Sequence, residues 1–302
     1  MYDILITGGG PAGLTAAVYA RRANKTVLVI EKETFGGQIT FSPNVENIPG
    51  FTSLSGNEFA EKLVDQAISQ GAEFESDEIK AIEKTAEGFV LTGEYGRYEG
   101  RAVILATGAK HRMLGVSGEE DFVGNGISFC AVCDGAFYKD QVVGVVGGGN
   151  SALQEAVLLS DLVSKLYIFQ DLPALTGEKK LQDQLYEKEN VEIVTGVKVK
   201  SFSGGGELTG VTVVSSETGE EKHYDLSGLF VAIGLVPQNE PFSDVIALNA
   251  WGYADSDEFC GTRTPGVFVA GDCRSKRVRQ VATACSDGAV AALRAVDYIE
   301  GR

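Results

Sequence analysis

The chain has 302 residues, with 42 acidic and 26 basic side chains and a formal net charge of −16. This size favours two domains, and the negative charge would repel nucleic acid and anionic lipid, so neither is expected as a partner. No signal-peptide pattern opens the chain and no apolar run reaches membrane-spanning length, so a cytoplasmic location is expected.

Short β-branched runs alternate with helical periodicity along the chain, a pattern typical of parallel sheets with crossover helices. The predicted strands are Tyr2–Thr7, Thr26–Ile30, Ala102–Ala106, Val142–Val146, Lys165–Phe169, Leu229–Ile233 and Gly266–Ala270. The predicted helices are Pro11–Ala23, Asn57–Gln70, Ser151–Val163 and Ala284–Ile299. The expected fold class is α/β, with two Rossmann-like dinucleotide-binding domains of three-layer ββα type.

Two glycine-rich loops form an internal near-repeat, GGGPAG at 8–13 and GGGNSA at 147–152. They start 139 residues apart (147 − 8), too far for one βαβ unit. The late stretch TPGVFVAGD at 264–272 resembles a strand that returns to the N-terminal sheet. We therefore expect an outer domain of residues 1–110 and 238–302, with an inserted domain of residues 111–237.

The first loop has the pattern of a pyrophosphate-binding turn. Gly8, Gly10 and Gly13 follow a strand and open a helix, so backbone amides and the positive helix end would face a phosphate. Glu31 follows Gly13 by 18 residues (31 − 13), at the end of the next strand, where a carboxylate can accept from ribose hydroxyls. A merely structural tight turn is the alternative.

The second loop has the same spacing of small residues, at Gly147, Gly149 and Ala152. The strand that follows it, however, is succeeded by the sequence QDL at 170–172. A 2′-phosphate would need guanidinium groups there, and Asp171 would repel it. Two interpretations stay open: a site for an unphosphorylated nucleotide, or an inherited scaffold whose nucleotide site has been lost.

Between the loops lies the sequence CAVCDG at 130–135. Two cysteines in this spacing can close a small disulfide ring, and a helix start would favour the thiolate. Asp134 follows at once and could act as a general acid if burial raises its pKa, although a helix cap is the alternative role. Catalysis is therefore expected at Cys130, Cys133 and Asp134.

Zinc is the rival interpretation of this spacing, but a structural zinc site needs four ligands and a second close pair is missing. The other cysteines and the histidines are scattered along the chain, at Cys260, Cys273, Cys285, His111 and His223. No metal site is expected, and two histidines without a nucleophile elbow disfavour a Ser/His/Asp hydrolase. The three remaining cysteines are expected to be small buried packing residues.

The sequence resembles a known family along its whole length. The matching segments are GGGPAG, GGQ at 36–38, VENIPG at 45–50, ATGA at 106–109, CAVCDGAFY at 130–138, GGGNSA, FVAIG at 230–234, TPGVFVAGD and RQVATA at 279–284. Together they identify a chain similar to the low-molecular-weight thioredoxin reductases, the class II FAD-dependent pyridine nucleotide-disulfide oxidoreductases.

The resemblance implies a homodimer whose outer domain binds FAD. Its FAD-binding residues would be Gly8, Gly10, Pro11, Ala12, Gly13, Glu31, Lys32, Gly37, Gln38, Asn47, Thr107, Gly108, Gly271, Asp272, Arg279, Gln280 and Val281. Cys133 would receive electrons from the flavin, Cys130 would attack the disulfide of a thioredoxin-like protein, and Asp134 would supply the proton. The inserted domain would swing about the two crossing strands to expose Cys130.

The electron donor is where the chain departs from the family. Members that use NADPH carry a His-Arg-Arg-x-x-x-Arg pattern after the second loop's strand, and the aligned residues here are Gln170, Asp171, Leu172 and Thr176. NADPH is therefore in doubt, and Asp171 favours NADH. A second nucleotide site would comprise Gly147, Gly149, Asn150, Ser151, Ala152 and Asp171.

A ferredoxin donor is a further possibility, with the basic run RSKRVR at 274–279 as its docking site or as a solvated loop. Two functions compete with disulfide reduction. One is a flavin-dependent ferredoxin or NAD(P)H oxidoreductase with non-catalytic cysteines. The other is a redox sensor that opens the Cys130–Cys133 bond without turnover.

Overall fold

The chain folds into two compact units in a computed structural model that describes residues 1–42 and 45–302. The first unit comprises residues 1–110 and 236–302, and the second comprises residues 111–235. The second unit is therefore an insertion in the first. Its return boundary lies two residues before the position 238 expected from the sequence.

The strands and helices follow one another in α/β order. The strands are β1 (Tyr2–Thr7), β2 (Val27–Glu31), β3 (Glu73–Ser76), β4 (Ile79–Lys84), β5 (Phe89–Gly93), β6 (Arg97–Leu105), β7 (Ala109–His111), β8 (Ile127–Ser128), β9 (Val142–Val146), β10 (Lys165–Gln170), β11 (Val191–Thr195), β12 (Val197–Gly204), β13 (Leu208–Ser215), β14 (Glu221–Asp225), β15 (Gly228–Val231), β16 (Leu235–Pro237) and β17 (Val267–Val269). The helices are α1 (Pro11–Arg22), α2 (Gly56–Ser69), α3 (Glu119–Phe122), α4 (Ala131–Asp134), α5 (Asn150–Ser160), α6 (Lys179–Tyr186) and α7 (Val281–Glu300).

The first unit is built on a parallel sheet of order β3-β2-β1-β6, which β17 extends by pairing with the second half of β6. The first half of β6 pairs instead with β5, which continues antiparallel to β4. Helices α1 and α7 pack closely against each other, since a Cβ at Gly288 of α7 would stand only 2.1 Å from the carbonyl oxygen of Ala12 in α1. This contact fixes the start of α1, and with it the first glycine loop.

The second unit has a parallel sheet of order β11-β10-β9-β15-β8 and a separate antiparallel sheet β12-β13-β14. One apolar cluster lies between the parallel sheet and α5, where Leu153, Leu159 and Ile168 are fully buried. A second cluster includes Phe169 from the parallel sheet and Val211 from the antiparallel sheet. The segments that enter and leave the unit pair as β7 and β16.

The fold class expected from the sequence is confirmed, and every predicted strand and helix has a counterpart. The β4–β5 hairpin and the β12-β13-β14 sheet were not predicted. In the part of the chain that the structure describes, no helix is both long and apolar enough to cross a membrane.

Candidate active site

The two cysteines of the CAVCDG sequence form a disulfide at the start of the one-turn helix α4. Cys130 and Cys133 are bonded, with their Cα atoms 5.3 Å apart. Cys130 is the N-cap of α4, and its Sγ accepts from the backbone N–H of Cys133 at 3.2 Å. Because both cysteines are half-buried while Val132 between them is 62% exposed, the turn is open to a partner on one side.

Asp134 lies within the same turn, with its carboxyl group sheltered from solvent. Burial raises the pKa of Asp134, while a hydrogen bond from Ser128 opposes that rise. The Ser128 hydroxyl donates to Asp134 Oδ2 at 2.6 Å and accepts from the Cys130 N–H at 3.2 Å. The other oxygen, Oδ1, is buried without a hydrogen-bond partner. Burial thus favours the protonated form of Asp134 beside the disulfide.

A second acid, Glu155 on α5, lies behind the cysteine turn. Its Oε2 is buried without a hydrogen-bond partner. Burial, together with the charge of Asp134, raises the pKa of Glu155 to about 7. Sequence reasoning missed Glu155, although its helical spacing from the buried Ala152 and Leu159 places it on the inner face of α5.

The first glycine loop leaves an open cradle at the start of α1. Gly8 has φ +110°, and a Cβ there would lie 2.2 Å from the Ala106 carbonyl oxygen. A Cβ at Gly13 would lie 1.9 Å from the Gly8 carbonyl oxygen, whereas at Gly10 its nearest neighbours would be 3.9 Å away. Gly10 is the N-cap of α1 and supplies no side-chain cap. The free amides and the positive helix end suit a pyrophosphate.

Glu31 lies at the end of β2 and faces this loop. Its two carboxylate oxygens accept from the N–H groups of Gly9 at 2.6 Å and Glu33 at 2.9 Å. A carboxylate has further lone pairs, so it can still accept from a ribose hydroxyl. The neighbouring Lys32 is engaged elsewhere, since its Nζ pairs with Glu78 at 3.2 Å.

Asp272 has a buried carboxylate oxygen that bears on whether this unit can bind a flavin nucleotide. Burial raises the pKa of its carboxyl group, and its Oδ1 is buried without a hydrogen-bond partner, with Lys276 Nζ 3.9 Å away. Buried acceptors in proteins normally have a hydrogen-bond donor, and a sugar hydroxyl of a bound nucleotide could be the donor for this oxygen. Gly108, at φ +68°, has open space where a side chain would be. The residues of the first unit therefore fit FAD.

Buried hydrogen bonds connect the segments around Thr107 and Asp272. They are made by Asn239, a residue that the sequence analysis did not predict. Asn239 is fully buried, accepts from the Thr107 hydroxyl at 3.0 Å and donates to the Cys273 carbonyl oxygen at 2.9 Å. It therefore connects the loop after β6 to the segment that carries Asp272. A lone asparagine after β16 gave no sequence signal for this role.

Two further predicted residues of the first unit donate side-chain hydrogen bonds. Gln38 donates to the Ala109 carbonyl oxygen, and Asn47 donates to the Gln280 side chain at 3.2 Å. Gln280 is the N-cap of α7, so Val281 is its first residue. The remaining predicted glycines and small residues lie in or beside the loops already described, at Pro11, Ala12, Gly37 and Gly271.

The second glycine loop repeats the first in outline but has different surroundings. Gly147 has φ +130°, and a Cβ there would lie 2.6 Å from the Ala232 carbonyl oxygen. The Thr176 hydroxyl donates to the Gly148 carbonyl oxygen at 3.2 Å, and the buried Gln170 packs over Gly148. Residues 174–178 therefore fold back towards the loop.

The charge at the start of α5 is unfavourable for a phosphate. Asn150, the first residue of α5, accepts from the Glu178 N–H at 2.6 Å and donates to the Glu178 carboxylate at 3.3 Å. Asp171 is exposed just beyond β10. An acid, Glu178, thus lies beside the first residue of α5. Ser151 and Ala152 follow within the first turn of α5.

The basic run 274–279 is largely engaged within the first unit. Asp287 pairs with Arg274 at 2.6 Å and with Lys276 at 2.9 Å. The Arg279 guanidinium lies 4.1 Å from the ring centroid of Tyr253 and donates to the Asp272 carbonyl oxygen at 3.3 Å. Three of the four basic side chains of the run are thus engaged within the unit, and Arg277 is exposed.

The other cysteines lie away from this chemistry. Cys260 and Cys273 are buried and Cys285 is half-buried, and all three are free thiols. Burial raises the pKa of each of these thiols, which disfavours the reactive thiolate. Packing is therefore their role in the fold.

Comparison with known proteins gives consistent matches over the whole chain. A family model described as "Pyridine nucleotide-disulphide oxidoreductase" matches residues 2–288. Thioredoxin reductase of Bacillus subtilis (strain 168) is 40% identical over 301 residues, covering 99% of this chain and 95% of the relative. The crystal structure of thioredoxin reductase from Streptococcus pyogenes has a TM-score of 0.95 at 37% identity, covering 100% of this chain and 99% of that one.

A "34.2 kDa protein in rubredoxin operon" of Clostridium pasteurianum is 41% identical over 301 residues, covering 99% of this chain and 98% of the relative. The two parallel sheets and the disulfide of the C-x-x-C sequence thus define a flavoprotein oxidoreductase of the disulfide-reducing class. The chain belongs to the pyridine nucleotide-disulphide oxidoreductase family. The predicted resemblance to thioredoxin reductases and the predicted enzyme class are confirmed.

Proposed function

We propose that this chain is an FAD-dependent reductase that delivers electrons through Cys130 and Cys133 to the disulfide of thioredoxin or a similar small protein. The observation that carries the proposal is the half-buried Cys130–Cys133 disulfide with the sheltered acid Asp134 in the same turn. As the family resemblance implies, the enzyme would act as a homodimer.

The first unit would hold the FAD. The amides of the loop around Gly10 would bind the pyrophosphate, Glu31 a ribose, and the unpartnered Asp272 Oδ1 a sugar hydroxyl. When bound, the flavin supplies two-electron transfer between a donor and the cysteine pair. As the family resemblance implies, the second unit would swing about the β7 and β16 segments between reduction of the pair and exchange with the substrate.

The cysteine turn would carry out the exchange with the substrate. The Cys130 thiolate attacks one sulfur of the substrate disulfide, which forms a mixed disulfide and releases the other sulfur as a thiolate. Asp134 gives its proton to that leaving thiolate. The Cys133 thiolate then attacks Cys130 Sγ, which re-forms the Cys130–Cys133 bond and releases the second substrate thiolate, protonated from solvent. The substrate gains two electrons and the cysteine pair loses them.

The donor is proposed to lack a 2′-phosphate. Asp171 is exposed, and the Glu178 carboxylate lies beside Asn150 at the start of α5, so a phosphate dianion would meet negative charge. NADH and a reduced ferredoxin remain as donors compatible with this charge. Because Arg274 and Lys276 of the basic run 274–279 pair with Asp287, the run would offer a ferredoxin less free positive charge than its sequence alone suggests.

Turnover with thioredoxin tests the function. The purified protein should release FAD on denaturation and reduce thioredoxin over many cycles, while the Cys130→Ser and Cys133→Ser variants should lose this activity. A variant that lacks Cys133 but still reduces thioredoxin at the wild-type rate would favour the oxidoreductase with non-catalytic cysteines. A wild-type protein limited to one turnover would favour the redox sensor.

Anaerobic mixing tests the donor. The oxidised protein is mixed separately with NADPH, NADH and reduced ferredoxin while the flavin absorbance is followed. Rapid bleaching by NADH or ferredoxin, with slow bleaching by NADPH, is expected. Rapid bleaching by low concentrations of NADPH alone would show that the charge argument from Asp171 and Glu178 is wrong.

A further inference from the structure

The basic run 274–279 contains a lysine that is largely sheltered from solvent. The Lys276 side chain is 14% exposed. Its Nζ donates to Asp287 Oδ2 at 2.9 Å and to the Thr283 hydroxyl at 3.3 Å. Both partners lie on α7, so this member of the run faces the interior of the first unit.

The same ammonium group lies beside Asp272, the acid proposed to bind a hydroxyl of the flavin nucleotide. Lys276 Nζ is 3.9 Å from Asp272 Oδ1, the buried oxygen without a hydrogen-bond partner. This separation allows an ion pair but is too long for a hydrogen bond. Lys276 therefore supplies positive charge and leaves the lone pairs of Oδ1 free to accept from another donor.

The charges around Asp287 show that this acid alone does not balance Lys276. Asp287 also pairs with Arg274 at 2.6 Å, and it accepts from the Gly271 N–H at 3.0 Å. One carboxylate thus serves two cations whose side chains are only 11% and 14% exposed. Sheltered charges are costly unless they are balanced. Asp272 is the second acid within ion-pair distance of Lys276, and it supplies the remaining balance.

Other charged groups also surround Asp272. Arg279 stacks on Tyr253 and donates to the backbone carbonyl oxygen of Asp272 at 3.3 Å. The first two turns of α1, which pack against the turn that carries Asp272, contain no titratable side chain. Burial raises the pKa of Asp272, and the charge of Asp287 adds to that rise. Lys276 and Arg279 oppose it.

We propose that Lys276 is a positioning residue of the flavin site, which holds Asp272 as an ionised acceptor with its Oδ1 free for a hydroxyl of FAD. A charged acceptor binds a hydroxyl more strongly than a neutral one. Without the ammonium group, Asp272 would take up a proton at a higher pH and its hold on the hydroxyl would weaken. Loss of Lys276 should therefore make FAD binding sensitive to acid.

The inference rests on the proposed FAD site, but the two can fail separately. A wild-type protein that carries no FAD would overturn the proposed function together with this role for Lys276. A wild-type protein that binds FAD, with a Lys276 variant that binds it equally well at every pH, would overturn the role of Lys276 alone.

The experiment compares FAD binding by the holoenzyme at pH 6 and pH 8.5. Wild type, Lys276→Met and the control Arg277→Met are purified with FAD bound and diluted in series. The fluorescence of the released FAD gives the dissociation constant. Methionine removes the charge of the lysine and keeps a long, flexible side chain. Arg277 is exposed and follows Lys276 directly, so its substitution removes the same charge from the surface.

At pH 8.5 the Lys276→Met variant should bind FAD nearly as tightly as wild type, because Asp272 is ionised in both proteins. At pH 6 its dissociation constant should exceed that of wild type by about tenfold, the effect of a pKa rise of one unit. Arg277→Met should match wild type at both values. A ratio of Lys276→Met to wild type that does not grow from pH 8.5 to pH 6 would overturn the proposal and leave Lys276 as a structural partner of Asp287.

The variant Asp272→Asn supplies a second test, in case Lys276→Met does not fold. Asparagine has nearly the same shape as aspartate but carries no titratable group. Because Lys276 keeps wild-type Asp272 ionised over this range, Asp272→Asn should bind FAD more weakly than wild type by the same factor at pH 6 and pH 8.5. Equal affinities, or a difference that disappears at pH 6, would contradict the proposal. Circular dichroism at both pH values checks that each protein is folded during the measurement.

Discussion

The hydroxyl of Ser128 donates to Asp134 Oδ2 at 2.6 Å and at the same time accepts from the Cys130 N–H at 3.2 Å. One serine therefore joins the acid to the backbone of the reactive turn. This hydrogen bond favours the ionised form of Asp134 and opposes the rise in its pKa that burial causes.

Replacing Ser128 with alanine removes that opposition, so the pKa of Asp134 should rise further. Because Asp134 acts in its protonated form, thioredoxin reduction should persist to a higher pH, by up to about one pH unit. The pH profile of kcat measures this shift. Ser128→Thr keeps a hydroxyl and should follow wild type, whereas an unshifted profile in Ser128→Ala would show that the bond does not control the acid.

Replacing Asp134 with asparagine should slow the exchange of the chemically reduced protein with thioredoxin disulfide by about 100-fold or more, as for loss of a general acid. Stopped-flow measurement of thioredoxin fluorescence reports this step without the flavin. Asp140→Asn is the matched control, since Asp140 is exposed and its φ of +60° also suits asparagine. A loss of less than threefold in Asp134→Asn would assign the proton to solvent.

The first glycine loop allows folding and flavin binding to be separated. A Cβ at Gly13 would lie 1.9 Å from the Gly8 carbonyl oxygen, so Gly13→Ala should lower the free energy of unfolding by about 1–3 kcal/mol. A Cβ at Gly10 meets nothing closer than 3.9 Å, so Gly10→Ala should fold normally and lose FAD. Thermal unfolding and flavin content measure the two effects. Full flavin content in Gly10→Ala would place the pyrophosphate elsewhere.

His111 gives a prediction for acid stability. It stacks on Phe129 with ring centroids 4.7 Å apart, and burial lowers its pKa from 6.5 to about 4. The unfolded chain therefore binds a proton that the folded chain resists, so stability should fall as the pH drops from about 6.5 towards 4.

His111→Phe keeps the stacked ring and cannot titrate, so its thermal midpoint should fall less than that of wild type between pH 6.5 and 4.5. The expected difference is a few degrees, since about 2–4 °C corresponds to 1 kcal/mol for domains of 150–250 residues. His223→Gln, at the other and exposed histidine, should behave as wild type does. Equal acid losses in His111→Phe and wild type would contradict the buried, neutral imidazole.

The sequence predicted the parts of the fold that depend on strong local patterns. Glycine loops that join a buried strand to a helix, such as Gly8–Gly13 and Gly147–Ala152, have few other structural solutions. The β12-β13-β14 sheet was missed because β12 and β14 are largely exposed and lack a continuous apolar run. The β4–β5 hairpin was missed because four of the six residues of β4 are exposed, so this strand has no continuous apolar run.

The candidate site likewise contains residues that the sequence predicted and residues that it did not. Residues fixed by backbone demands or by motif spacing, such as Gly10 and Cys133, were predicted from sequence. Asn239 and Ser128 act through contacts that only the folded chain creates. Asn239 contacts Thr107, 132 residues away in the chain, and no local pattern encodes that pairing. The pairing of Arg274 and Lys276 with Asp287 of α7 is likewise a contact that no local pattern encodes.

The most direct test of the central claim reduces the enzyme without any physiological donor. Anaerobic wild type is reduced with a measured excess of dithionite, freed of it, and mixed with oxidised thioredoxin, and the thioredoxin thiols are counted. We expect thioredoxin dithiol to form in wild type, and none in Cys133→Ser, whose FAD is reduced to the same extent. Equal thioredoxin reduction by both proteins would show that electrons reach the substrate without the cysteine pair and would contradict the account.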